Sequence, residues 1–478
     1  LAKIGPLEVI LSHTSQPARR DLDHVGAHSA LLQPAASDLI RVGSRRWFLQ
    51  TGLAGVAGLS LPDLLYYRAQ AAPSRPADRK AVILIWLSGG PSQLDTWDPK
   101  PASPSDVRGP FGSIATRVTG VRVNEYFPLQ ARIMDRLALV RSVDCRASND
   151  HYPAPMQAGN PLAQRSKIDP HIGTHPSMGS VAARFRGPND PALPAFAGMA
   201  DPQLFFADVL GASPMGGAYE PVNAADLGRR LTLPRGVSVA RAEDRAGLCH
   251  QFDRLHRDLD VGDAMARMDH YRRQALDIVL SGKARQAFRV DQEPDRIRDA
   301  YGRHSLGERT LLARRLIEAG VTFVTVSGTF GVFDNHGDDV IWGGLIKGLK
   351  PLLPRVDQAV YALVTDLLAR GLLDSTLVLV MGEFGRSPIF SQRKTGGREH
   401  WPNCMSMLIA GGGLARGQVV GSSDAKGGEV KDAPVTPADL GATVYRHLGI
   451  DLDAQWTDLQ GRPQPIVTGG GRPIPELG

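Results

Sequence analysis

Ala81 to Leu87 is an unbroken apolar run that breaks without transition into Ser88, Gly89, Gly90 and Pro91. A strand apolar on both faces has no side for water, so it belongs inside a sheet covered by helices above and below. Four further runs repeat the arrangement: residues 137–143, 321–327, 376–381 and 405–410. Helical patterns lie among them at 305–319, 356–369 and 437–448, the last opening on Thr436, Pro437, Ala438 and Asp439, a helix-start series. Gly371 is placed to stop the second of these helices. The alternation predicts an α/β chain, a three-layer α/β/α sandwich with a mostly parallel central sheet and helical insertions.

Composition agrees with a large buried core, 42% hydrophobic and 22% charged over 478 residues, which sets aside disorder and disulfide-stapled miniproteins. The formal charge is +6, and the basic residues are spread along the chain without a block or an aromatic ladder. Nucleic acid is therefore not an expected partner. Three cysteines, Cys145, Cys249 and Cys404, match no zinc spacing and allow at most one disulfide.

The N-terminal region reads as a processing segment. Arg45 and Arg46 precede a short apolar, glycine-rich run that ends at Pro62, and Ala69 to Ala71 offers a small-residue cleavage site. The run is well short of the roughly 20 apolar residues that span a bilayer, so no stable membrane span is expected. Residues 1–43 then form an N-terminal extension, 44–72 a twin-arginine export signal, and 73–478 one domain with an inserted helical layer at about 220–300. The expected location is periplasmic or extracellular.

In open α/β sheets, ligands bind beyond the carboxyl ends of the strands. Asp95, Asp150, His151, Asp334, His336 and Glu383 all follow predicted strands, and His400 lies in a nearby loop. Carboxylates and imidazoles at several strand ends are what a divalent metal needs. Each candidate also has a plain structural reading. Asp95 could cap a turn, Asp334 and His336 could sit in a solvated loop, Glu383 could pair internally with Arg386, and His400 could be a hydrogen-bonded loop histidine.

Several of these segments occur together in a known group. The arginine pair, Gly89 to Pro101, Phe333 to His336, Gly382 to Pro388 and Gly397 to Pro402 resemble a secreted bacterial family catalogued as domain of unknown function 1501, of planctomycete type. That family is similar to the alkaline phosphatase and sulfatase superfamily. The resemblance implies an alkaline phosphatase-like sheet, a divalent metal (zinc, calcium or manganese), and hydrolysis of a small or polymeric anionic sulfate or phosphate ester. It assigns Asp95, Asp334, His336, Glu383 and His400 to the metal, with Arg386 or Arg398 orienting the anion. His151 is a nucleophile, ligand or general acid, and Ser148 a weaker candidate nucleophile.

Two departures bear on activity. The first strand ends in Ser88, Gly89 and Gly90 where the superfamily carries a metal-binding aspartate, leaving Asp95 as substitute. The only match to the sulfatase Cys/Ser-x-Pro-x-Arg pattern begins at Ser15, inside the leader, which argues against a formylglycine nucleophile. The alternative function is a catalytically degenerate protein that binds glycans or partner proteins at the cell envelope.

Overall fold

The computed structural model describes residues 79–478, apart from 149, 168–172, 202–204, 225–240, 242–243, 245–281, 329–330, 338–342, 392–394 and 459. The expected extension, export signal and most of the inserted helical layer lie outside the described residues. Cys249 does too.

Eight strands make the central sheet: β1 Ala81–Trp86, β2 Leu137–Val143, β3 Phe196–Met199, β4 Val222–Asn223, β5 Phe323–Ser327, β6 Thr376–Met381, β7 Met405–Gly411 and β8 Gln418–Val420. Their spatial order is β8-β2-β7-β6-β1-β5-β3-β4. β1 lies at the centre because it has no polar face. Ala81, Ile83 and Ile85 enter one core while Val82, Leu84 and Trp86 enter the other. Sequence reading missed β3, β4 and β8, which are short or lie near the sheet edges.

Helices cover both faces, as expected. α1 Met178–Phe185 and α4 Pro437–Leu448 contribute to one core, α2 Ser305–Ala319 and α3 Leu353–Ala369 to the other. The Thr436 and Asp439 side chains close a reciprocal capping box on α4, with Pro437 in its first turn. Gly371, in a left-handed conformation, follows the end of α3. Among the described residues, no helix is long and apolar enough to cross a membrane. Cys145 and Cys404 are buried free thiols.

Strand direction decides where the loops meet. β1 is parallel to β5 and β6, whereas β7 runs antiparallel to both β6 and β2. The sheet is thus mixed but mostly parallel. The start of β7 accordingly shares an edge with the ends of β1, β2, β5 and β6. Loops from four strand ends and one strand start converge there.

Candidate metal centre

The turn after β1 sets the floor. Gly89 has φ +111°, and a Cβ there would stand 2.5 Å from the backbone nitrogen of Asp334. Only glycine tolerates both the conformation and the approach. Ser88 holds the other side, its carbonyl accepting from Phe333 N–H at 3.0 Å and its hydroxyl from Gly331 N–H at 3.0 Å. This double tie fixes the loop that carries Asp334 and His336.

His400 arrives by a different device. His400–Trp401 pairs antiparallel with Gly385–Arg386, two residues of each segment forming a small ribbon. Phe384 packs against His400, ring centroids 4.5 Å apart, and against His151 at 5.3 Å.

Three imidazoles converge on one carboxylate. His336 Nε2 is 2.6 Å and His400 Nε2 3.2 Å from Asp334 Oδ1, while His151 Nε2 is 3.3 Å from Asp334 Oδ2. One ligand atom from each of His151, Asp334, His336 and His400 lies within 4.8 Å of the others. These side chains are partly exposed, so the group is reached from solvent.

The far nitrogens are held as well. His151 Nδ1 is 2.8 Å from Glu383 Oε1, which also accepts from Gly89 N–H at 2.8 Å. His336 Nδ1 is 2.7 Å from Glu399 Oε2. A carboxylate accepts a hydrogen bond from Nδ1–H, which keeps the proton on that nitrogen and turns the Nε2 lone pair inward. In that tautomer two Nε2 lone pairs are turned toward Asp334, and either a proton or a bound cation can stand between them and the carboxylate. Imidazole nitrogens and a carboxylate oxygen suit zinc or manganese; calcium would want six to eight oxygens. The donor set therefore fits a divalent transition metal.

Protonation follows the same electrostatics. Burial disfavours the charged Asp334 carboxylate, but contacts with His151, His336 and His400 and the Arg386 guanidinium hold it well below the usual range. Burial opposes a charged His151 too, yet Asp334 and Glu383 push it up to about 9. Asp334 raises His336, while burial lowers His400. A metal would have to displace such protons.

The remaining sequence candidates are placed elsewhere. Glu383 stands behind His151 as its hydrogen-bond partner, outside the four converging side chains, with a buried Oε2 that has no partner. Asp95 is a correction: its carboxylate is taken by Ser92 Oγ at 2.6 Å and Arg398 Nε at 2.6 Å, with both ion-pair side chains fully buried. Arg398 is likewise corrected, since its other nitrogens donate to the carbonyls of Ser387, Pro388 and Val107. Arg386 reaches the centre but is 2% exposed, donating to Asp334 Oδ1 at 2.6 Å, to Gly90 and Arg398 carbonyls, and to Gly89 O. No donor direction of either arginine is left pointing at solvent. Ser148 is 1% exposed, and its hydroxyl has no partner.

Sequence reasoning missed Glu399, whose one signal was adjacency to His400. It also missed Asp208, a buried carboxylate pushed up to about 6 by burial against the opposing pull of Ser327 and Ser88.

The family model for Protein of unknown function (DUF1501) matches residues 79–477. The chain belongs to this family. No curated protein matches it. Among solved structures, the chain is similar to the PsFucS1 sulfatase from Pseudoalteromonas sp., at 12% identity and TM-score 0.34, over 84% of this chain and 72% of that one. It is also similar to Ps i-CgsB, at 11% identity and TM-score 0.32, over 78% and 72%. That protein with bound k-i-k-neocarrahexaose matches at 10% identity and TM-score 0.30, over the same shares.

Proposed function

We propose that this DUF1501 chain is an exported, metal-dependent hydrolase of sulfate or phosphate esters. The observation that carries the reading is the convergence of His151, His336 and His400 on Asp334, with Glu383 and Glu399 fixing the outward nitrogens of two of them. Those four converging residues would hold the metal. When bound, it would polarise the ester oxygen and lower the pKa of a coordinated water or hydroxyl.

The chain supplies the rest. Arg386 balances part of the Asp334 charge and ties the Gly89 turn beneath it. Glu383 and Glu399 keep His151 and His336 in the tautomer that presents Nε2. Phe384 gives two of the imidazoles an apolar wall.

Metal analysis of purified protein tests the reading. About one equivalent of zinc or manganese, with ester hydrolysis lost on chelation and restored on reloading, is the expected result. Less than about a tenth of an equivalent, and no uptake from solution, would count against it.

The second reading, a binder of glycans or proteins without turnover, is favoured by the burial of Ser148, which shuts that hydroxyl away from an ester. Tight binding of an anionic glycan with no hydrolysis at full metal occupancy would select it.

A further inference from the structure

Gln93 lies in the Gly89 to Pro101 segment and is fully buried. Its carboxamide faces the Gly385–Arg386 half of the small ribbon. Oε1 accepts from Arg386 N–H at 2.9 Å, while Nε2 donates to Arg386 O at 2.8 Å and to Gly427 O at 2.7 Å.

A neighbouring strand would pair in the same way. Within the ribbon, Ser387 N–H donates to Glu399 O at 2.9 Å, so the next pair along, Arg386 opposite His400, is one without backbone bonds between its members. The N–H and C=O of Arg386 therefore point away from His400, to the edge where Gln93 stands. One side chain takes the place of a third strand. Its donors and its acceptor are all engaged, and removing the amide would leave one buried N–H and two buried carbonyls unpaired.

The cross-strand pair that Gln93 backs is also the pair that reaches one oxygen of the centre. Arg386 Nη2 is 2.6 Å and His400 Nε2 3.2 Å from Asp334 Oδ1. A shift of the ribbon would carry both away together. Gln93 is itself anchored in the turn after β1, its carbonyl accepting from Asp98 N–H at 2.8 Å.

We infer that Gln93 is a positioning residue of the metal centre, its carboxamide completing the open edge of the ribbon and holding the Arg386–His400 pair in register with Asp334. This rests on the reading of the centre as a metal site.

The test is titration of the purified full chain with cobalt(II), an ion the same nitrogen and oxygen donors bind, followed by visible absorption, which reports ligand geometry as well as affinity. Gln93→Met keeps the side-chain length and removes the polar atoms. It should weaken cobalt binding about tenfold or more and alter the visible bands. In a His400→Ala background the same substitution should cost no more than about threefold, because a residue that acts through His400 then has little left to position. A general loss of stability would weaken both chains alike. Gln93→Asn, too short to span Arg386 N–H and C=O, carries the same comparison if Gln93→Met does not fold. Wild-type affinity and bands in the variant, or equal losses with and without His400, would overturn the inference and leave the metal reading standing. A wild-type chain that takes up no cobalt would overturn both.

Discussion

His151 Nδ1 and Glu383 Oε1 lie 2.8 Å apart, although 232 residues separate them along the chain. The same oxygen receives Gly89 N–H, so one carboxylate joins the ends of β1 and β6 to the loop after β2. Glu383→Gln should preserve the fold and weaken metal binding about 10- to 100-fold, because the amide accepts more weakly and supports the imidazole less. Competition with a chromophoric chelator measures this, and unchanged affinity would remove Glu383 from the centre.

Gly89→Ala should damage both fold and site. The substitution forces a side chain into φ +111° and against the Asp334 backbone, where the added Cβ would stand 2.5 Å away. A loss of about 1–3 kcal/mol from backbone strain alone is expected in urea denaturation, together with reduced metal occupancy.

The buried Asp95–Arg398 pair predicts a stability effect. Arg398→Ala should cost about 3–5 kcal/mol by leaving the Asp95 charge alone, and Arg398→Lys should recover little because one ammonium cannot replace four directed contacts. If Arg398→Ala instead kept full thermal stability and lost only ester hydrolysis, Arg398 would be a substrate residue after all.

Acid sensitivity should come partly from His447. The ring is 5% exposed, its Nε2 lies 3.0 Å from Ala81 O, and burial depresses its pKa from 6.5 to about 4. The unfolded chain binds this proton more readily than the native one. Stability from the neutral ring is thus complete above pH 6.5 and is lost as pH falls towards 4, by about 3 kcal/mol. His447→Gln, which can still donate to Ala81 O, should flatten that slope in denaturation curves recorded across the range.

Much of the architecture was legible beforehand because apolar runs and caps are local signals. Helix α2 and strands β2 and β6 stand at their expected bounds, and Thr436 with Asp439 forms the cap their spacing suggested. The short strands β3, β4 and β8 were not legible. β4 spans two residues, and each of the three depends on a neighbour for its conformation.

The site divides along the same line. Residue type and position after a strand singled out Asp334, His336 and His151, and His400 stood out as the histidine of a loop close to Glu383 in sequence, because a buried parallel sheet delivers such loops to one edge. Which of the candidates would meet was a matter of tertiary structure. Asp95 and Arg398 chose each other because each was the nearest compensation for the other's buried charge. Arg386 turned inward to Asp334, Glu383 came to stand behind His151, and the reversed β7 carried His400 to the same edge. Local sequence determines strands, caps and the chemistry available at their ends. Pairing among charges about 50 to 300 residues apart is decided only when burial removes water and leaves each charge its closest partner.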